Sequence, residues 1–407
     1  GGNSLVSNIL VDGHSFVSVD STVTSVTGVN GANVFGQSNA RIGTLRITGG
    51  DSYSDLSGSR VDTVYLEATS RQVTAARDGR KPHVGLMKGA QALDVTLSGC
   101  VDFVNTFFLV DDLVPFLERG TAPEAIPWDE LGTESRVENL TAQGNCTIWN
   151  QAYIARAELK KGVRYHGEGY CEQIDAEGVK DLALYKFNWS TGEITNVDQL
   201  TSMFAASRYN NRNFSTLYAK DSEVFFGYLS GGGTAILDGC NLQFEDFEHY
   251  DTICINDKNT LFVYRGLYQL GEKEVVPSYA IDHLIWNGNL RYAASHFDNY
   301  HLHHIRDLCI IRGIMPLYGD VDRLLLYEGA ENARLNSSRT VLEGRRPDPV
   351  PADRGTEADV PAAEAVQEEG ETEEVYKDFY VFTKEQRNKV IKYVILILSN
   401  SVIIFMT

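Results

Sequence analysis

An eighteen-residue repeat between Thr216 and Leu270 constrains the fold of this chain more than any other feature of its sequence. Written in rows of eighteen, the segment places similar side chains in the columns Thr216/Thr234/Thr252, Leu217/Ala235/Ile253, Ala219/Leu237/Ile255, Val224/Leu242/Thr260 and Phe226/Phe244/Phe262. Repeats of this length indicate a solenoid, because each unit buries its apolar face only by stacking on its neighbours.

The register of the repeat predicts which side chains face the interior. The expected inward positions are apolar and mostly large: Val224, Phe226, Leu242, Phe244 and Phe262. One shared turn is expected to hold the polar pairs Lys220-Asp221, Asp238-Gly239 and Asn256-Asp257. Asn241 and Asn259 fall in one column, which predicts a short amide ladder.

Short strand-like runs separated by glycine and polar turns extend the pattern over residues 1–342. Two stretches break it, and we interpret 111–135 and 191–213 as insertions that project from the stack. Asn196 with Gln199 has the form of an N-terminal capping box, which predicts one short helix in the second insertion. The basic, aperiodic segment 69–90 is interpreted as a loop or an excursion from the stack.

Two kinds of solenoid have coils of about this length. A left-handed helix of hexapeptides needs a small aliphatic residue at every sixth position, and the series Ile236, Leu242, Glu248 breaks that rule. In its strand-turn periodicity, insertions and variable rung length, the chain resembles the right-handed parallel β-helix superfamily of pectate-lyase-like enzymes and viral tailspikes. The resemblance implies an all-β, single-stranded parallel β-helix (a β-solenoid) with small helical or loop insertions and an extended C-terminal tail.

The charge of the chain argues against a nucleic-acid partner. The formal net charge is −19, and no basic stripe is available to neutralise phosphates. Much of this charge lies in the segment 345–374, which is rich in Pro, Ala and Glu. Such a composition cannot bury enough apolar surface to fold alone, so an acidic extended linker is predicted there.

The six cysteines have no CxxC spacing, so the sequence indicates neither a zinc site nor a redox motif. Several lie in apolar, strand-like runs, as in Ile253-Cys254-Ile255. Buried free thiols are therefore expected in preference to a disulfide framework.

The C-terminal segment 375–407 becomes apolar again after the acidic linker. Its final run from Tyr393 to Thr407 is rich in Val and Ile, which suits a strand pair that docks on another chain. The alternative is a membrane anchor within 390–407, although about fifteen apolar positions fall short of the ~20 that span a bilayer. A homo-oligomer or larger assembly formed through 375–407 is expected.

Acidic residues after the Phe244 strand are the first candidates for chemistry. Parallel β-helix enzymes place carboxylates on a strand face for glycoside hydrolysis or lyase reactions, which makes catalytic candidates of Glu245, Asp246, Glu248 and Asp251. The alternative interpretation is a solvated acidic turn.

A histidine-rich stretch is the second candidate. Histidine with a nearby carboxylate could bind a transition metal, and the possible ligands are His296, Asp298, His301 and His303. The spacing matches no metal motif, so a polar surface loop or a subunit contact is preferred. No cofactor is expected.

Aromatic side chains beside predicted strands are the candidates for ligand binding. The candidates are Trp149, Tyr165, Trp189 and Trp286. Exposed rings could stack on sugar rings, whereas buried rings would belong to the core.

We therefore expect a structural or attachment β-solenoid of a virion or extracellular surface assembly. It would bind a surface glycan or a protein and be tethered through its C-terminus. The alternatives are a tailspike-type polysaccharide hydrolase or lyase that acts through surface carboxylates, and a membrane-anchored surface protein.

Overall fold

Two long parallel β-sheets dominate the computed structural model, which is of the all-β class. The described residues are 6–186, 194–227, 230–245, 249–256, 261–265, 281–287, 291–292, 302–314, 319–331 and 341–342. Up to β24, successive strands alternate between the two sheets. This arrangement is compatible with a parallel β-solenoid.

The first sheet has fifteen strands, in the order β1 (Val6–Asp12), β3 (Thr22–Val29), β5 (Arg41–Thr48), β7 (Arg60–Ala68), β9 (Gln91–Gly99), β11 (Arg136–Gln143), β13 (Tyr153–Leu159), β15 (Tyr170–Glu177), β17 (Arg212–Lys220), β19 (Gly231–Asp238), β21 (Tyr250–Asn256), β23 (Ile281–Asn287), β25 (Leu302–Ile314), β26 (Gly319–Glu331) and β27 (Val341–Leu342).

The second sheet has twelve strands, in the order β2 (Phe16–Val19), β4 (Asn33–Gly36), β6 (Tyr53–Ser57), β8 (His83–Met87), β10 (Asp102–Asn105), β12 (Thr147–Asn150), β14 (Arg164–Gly167), β16 (Asp181–Leu184), β18 (Glu223–Phe226), β20 (Asn241–Glu245), β22 (Leu261–Arg265) and β24 (Arg291–Tyr292).

One continuous apolar core extends along the stack from Val11 to Ile310. Alternate residues of each strand point inward, as the two-residue period of a strand requires. Identical positions of successive strands therefore stack in columns, such as Val26, Leu45, Val64 and Val95, all of them buried. Each unit lacks a core of its own, and stacking supplies it.

The first-sheet columns predicted from the repeat are confirmed. Three pairings continue from β17 through β19 to β21, namely Thr216/Thr234/Thr252, Leu217/Ala235/Ile253 and Ala219/Leu237/Ile255. In the second sheet, Val224 pairs with Leu242 and Phe226 with Phe244, and the first three of these side chains are buried.

The third row of the second sheet was predicted wrongly. Phe262 pairs with Leu242, Tyr264 takes the place opposite Phe244, and Leu261 stands opposite Asn241. The step between β20 and β22 is therefore twenty residues, and this register does not align Asn241 with the predicted ladder partner Asn259, which itself lies outside the described residues. Two additional residues before β22 leave the inward and outward alternation unchanged, because side chains in a strand alternate with a period of two. The pattern of apolar residues therefore did not reveal the longer step.

Glycines in a left-handed conformation mark a turn that recurs between the sheets. Gly144 and Gly162 have φ of 82° and 91°, and a Cβ on Gly162 would lie 2.9 Å from the carbonyl oxygen of Gly144. The stacked turns approach so closely that only glycine fits without strain.

Within the described residues, helices interrupt the strand pattern at three places: α1 (Ser70–Ala75), then α2 (Val110–Glu118), a 3-10 turn (Pro123–Ala125) and α3 (Trp128–Leu131), and finally α4 (Val197–Arg208). Residues 107–131 and 194–209, which we call the helical lobe, share a second apolar core around Phe107, Phe108 and Leu200. The predicted capping box is present at the start of α4, where Asn196 accepts from the amide of Gln199 at 2.9 Å.

The segment 69–90 is only in part the loop or excursion that its composition suggested, because the helix α1 interrupts the strands there but is followed by the buried strand β8. All six cysteines are free and buried, as predicted.

Within the described residues, no helix has the length and apolar character that a bilayer span needs. The predicted linker 345–374 and the apolar segment 375–407 lie outside the described residues.

Candidate functional site

The outward-facing side chains of the second sheet concentrate aromatic rings and carboxyl groups, and we call this surface the outer face. Parallel register aligns them in two columns. The first column contains Tyr53, His83, Asp102, Thr147, Arg164 and Asp181, and the second contains Asp55, Gly85, Val104, Trp149, His166 and Ala183. On β18, Glu223 and Phe225 continue the same face.

The first part of the outer face lies on β6 and β8. Tyr53 donates to Asp55 Oδ2 at 2.6 Å, and its ring stacks on His83 with centroids 4.9 Å apart. The second carboxylate oxygen, Asp55 Oδ1, is buried without a hydrogen-bond partner in the described part of the chain. A Cβ at Gly85 would come within 2.8 Å of that oxygen, so glycine is needed for the carboxylate to lie across the strand.

Burial sets the protonation of this group of side chains. It raises the pKa of Asp55 to about 6, even though the hydrogen bond from Tyr53 favours the ionised carboxylate. Burial also lowers the pKa of His83 to about 4, against the attraction of Asp102, so the imidazole is neutral at pH 7. Asp102 itself forms a salt bridge with Lys81 at 2.9 Å, and the same ammonium donates to Thr147 at 3.0 Å.

The second part of the outer face is built around Trp149. Its ring stacks on His166 of the next strand, with centroids 4.2 Å apart and planes at 14°. Trp149 is half-buried and covers His166, which is only 6% exposed. Burial, reinforced by Arg164, lowers the pKa of His166 to about 4, so it too is neutral at pH 7.

Two carboxyl groups stand beside this stack. Asp181 lies opposite Arg164 in register, and burial raises its pKa to about 6 although Arg164 opposes the rise. Glu223 occupies the equivalent position on the next strand, where burial and the charge of Asp181 raise its pKa. Neighbouring parallel strands are about 4.8 Å apart, so the two carboxyl groups share one small area of the surface.

A buried polar network lies where the helical lobe meets the end of this face. The Lys186 ammonium is fully buried and donates to the carbonyl oxygens of Glu168 and Gly169. The Glu168 carboxylate accepts hydrogen bonds from Gln151 at 3.3 Å and from Ser202 of α4. Burial raises the pKa of Glu168 to about 7 and lowers that of Lys186 to about 7, while each charge partly offsets the shift of the other.

Such a surface can bind a molecule that has apolar ring faces and hydroxyl groups. The half-buried indole of Trp149 offers a flat apolar platform, and carboxylates accept hydrogen bonds from hydroxyl donors. Asp181 and Glu223 add a pair of carboxyl groups whose pKa is raised by burial, the kind needed for proton transfer.

In the predicted acidic cluster, the described carboxylate Asp251 belongs to a network of ion pairs. Asp251 forms a salt bridge with Arg212 at 2.9 Å, and Arg306 forms one with Asp282 at 3.0 Å. Between these pairs, His249 Nε2 lies 3.4 Å from Asp282 Oδ1. One ligand atom from each of His249, Asp251 and Asp282 lies within 4.8 Å of the others. Two arginines already balance the two carboxylates, which favours an ion-pair network over a cation site.

The other predicted acidic and histidine candidates can be placed only in part. The structure describes Glu245 as the last residue of β20, opposite Arg265, and His303 as a residue of β25, in both cases for the backbone alone. Outside the described residues lie Asp246, Glu248, His296, Asp298 and His301.

The aromatic candidates divide between the surface and the core. Trp149 is on the outer face, whereas Tyr165 and Trp286 are buried in the core and cannot contact a ligand at the surface. Tyr165 points inward because it directly follows Arg164, and successive side chains of a strand face opposite sides. Trp189 lies outside the described residues.

Sequence reasoning missed most of the outer face, namely Tyr53, Asp55, His83, Asp102, Arg164, His166, Asp181 and Glu223. Each lies in a strand with an alternating pattern, so the outward positions could have been found. Their meeting on one surface depends on register over several rungs, which the sequence defines clearly only between 216 and 256.

No protein-family model, curated protein or solved structure matches the chain.

Proposed function

We propose that this protein is a non-enzymatic attachment protein of a virion or extracellular surface assembly that binds a glycan along its outer face. The observation that supports this most directly is the half-buried Trp149 ring, which stacks on His166 beside Asp181 and is thereby held in a fixed orientation. Sugars present apolar ring faces edged with hydroxyl groups, and a fixed indole next to acceptors matches both features.

The proposal includes a right-handed, single-stranded parallel β-helix as the scaffold. Its support is the alternation of strands between two parallel sheets, together with the strong right-handed preference of crossovers between parallel strands. A stiff stack would hold the rings and carboxylates of successive rungs at fixed spacing, which suits an extended ligand. The C-terminal segment 375–407 would attach the protein to its assembly as an oligomerising element or, within 390–407, as a membrane anchor.

Glycan binding is tested by a Trp149→Ala variant against a glycan array, followed by titration calorimetry on any ligand found. We expect affinity to fall about five- to tenfold, because a stacked aromatic contact contributes about 1 kcal/mol or somewhat more. Tyr218→Ala is the matched control, since Tyr218 is an exposed aromatic on the outside of the first sheet. Equal losses in the two variants, or no binding by the parent chain, would contradict the proposal.

A polysaccharide hydrolase is the second candidate, and the neighbouring carboxyl groups of Asp181 and Glu223 favour it. A carboxyl group with a raised pKa can act as general acid while a second carboxylate acts as base or nucleophile. Release of reducing ends from a polysaccharide panel by the parent chain, abolished by Asp181→Asn or Glu223→Gln, would replace attachment with catalysis. Formation of unsaturated uronates would point to a lyase instead.

A further inference from the structure

We infer that the glycan bound by the outer face carries no carboxylate, sulfate or phosphate groups. The inference rests on the proposed glycan-binding function and adds the chemical class of the ligand. Its basis is the balance of charged side chains on the outer face.

On the part of the outer face between β6 and β18, carboxylates outnumber the basic groups that are available to an anion. Within the described part of the chain, Asp55, Asp181 and Glu223 form no salt bridge with lysine or arginine. Asp55 is occupied at one oxygen by the Tyr53 hydroxyl, which leaves Oδ1 as a buried acceptor without a donor. The carboxylates of Asp181 and Glu223 are accessible at the surface. A ligand hydroxyl can donate to them, whereas an anionic group would place two negative charges side by side.

Between β6 and β18, the basic groups of the outer face are already engaged. The Lys81 ammonium binds both Asp102 and Thr147, and Arg164 donates to Asn145 Oδ1 at 2.8 Å. Arg164 also lies opposite Asp181 on the neighbouring strand. The charge of the exposed Lys180 attracts the Glu223 carboxylate and lowers its pKa. An anionic sugar would have to compete with these partners for each cation.

The two histidines do not supply the missing positive charge. His83 and His166 stack against Tyr53 and Trp149, in positions that exclude most solvent. Desolvation favours the neutral imidazole in both cases. At neutral pH the rings therefore add stacking surface and hydrogen-bonding atoms to the face, without cationic charge.

The experiment measures binding of the full chain to matched glycans at pH 7 and low ionic strength. The probes are uncharged glucan and chitin oligosaccharides, together with polygalacturonate and heparin as polyanions. We expect at least one uncharged probe to bind, and both polyanions to bind at least roughly fivefold more weakly, since one close pair of like charges in water is worth about that factor.

A charge-neutralising double variant tests the cause. Asp181→Asn with Glu223→Gln is expected to strengthen polyanion binding roughly five- to thirtyfold, because two repulsive charges are removed with little change of shape. The control is Asp62→Asn with Glu177→Gln, which removes two exposed carboxylates from strands of the first sheet, β7 and β15, and is expected to change nothing.

Two unfavourable outcomes can be told apart. If a polyanion binds the parent chain as tightly as the best uncharged probe, or if the double variant leaves polyanion binding unchanged, the ligand class is wrong while glycan binding stands. If none of the probes binds and the array is also negative, the proposed function fails and the inference fails with it.

Discussion

Replacing both members of the buried Glu168–Lys186 pair, by Glu168→Gln together with Lys186→Met, changes how stability depends on pH. Glu168 has a higher pKa in the folded chain than in the unfolded chain, so folding favours its protonated form. The stability it contributes is present below pH 4.5 and is lost as the pH rises to about 7. Lys186 has a lower pKa when folded, so stability is reduced below about pH 7 and regained as the pH rises toward 10.5.

The size of each effect follows from the two pKa differences at about 1.4 kcal/mol per pKa unit. For Glu168, the rise from 4.5 to about 7 corresponds to a loss on the order of 3 kcal/mol across that interval. For Lys186, the fall from 10.5 to about 7 corresponds to a recovery on the order of 5 kcal/mol above neutral pH. The pair therefore contributes least to stability near pH 7, where many proteins are most stable.

The assay is urea unfolding of the parent and the double variant at closely spaced pH values, followed by tryptophan fluorescence and far-UV circular dichroism. Subtracting the two curves removes the contributions of other carboxyl groups, such as Asp55 and Asp181. We expect the stabilisation of the variant over the parent to be largest near pH 7 and to decline on both sides.

A matched control is the exposed pair Glu158 and Lys160, which are joined at 2.8 Å. Glu158→Gln with Lys160→Met is expected to give a nearly flat difference curve, because exposed ion pairs contribute little. A flat difference curve for the buried double variant, or one whose maximum lies at pH 5 or pH 9, would show that Glu168 and Lys186 do not have these shifted pKa values.

Two further predictions concern the core and the C-terminus. Phe226 is fully buried and packs edge-on against Tyr250 at 5.2 Å, so Phe226→Ala should lower the free energy of unfolding by about 3–5 kcal/mol. Phe16→Ala, at a side chain 76% exposed, should leave the urea midpoint nearly unchanged, and similar midpoints for both variants would overturn the core register. Deleting 390–407 should convert an oligomer into a monomer in size-exclusion chromatography with light scattering if this segment docks on another chain. If it is instead a membrane anchor, the deletion should remove a need for detergent; unchanged behaviour on both counts would exclude both roles.

The sequence predicted the architecture well wherever one column of side chains repeats at fixed spacing. Leu217, Ala235 and Ile253 recur at a fixed spacing of eighteen residues, because stacking requires an apolar side chain at the same position of each repeat. The capping box at Asn196 and Gln199 was also predictable, because it depends on residues only three apart. All six cysteines were expected to be buried thiols from their apolar neighbours, which is again local information.

The outer face was decided by tertiary structure. Trp149 and His166 are seventeen residues apart in sequence, and Asp55 and Trp149 are further apart still; only the parallel pairing of β6 through β14 brings them to one surface. Polar outward positions carry no strong hydrophobic signal, and irregular turn lengths, such as the twenty-residue step from Leu242 to Phe262, shift the register without disturbing the alternation. The amino-acid sequence alone therefore determined that the strands would stack, because the apolar columns can be buried only by stacking. Which side chains meet on the outer face was decided by the tertiary structure, because it depends on the length of each turn.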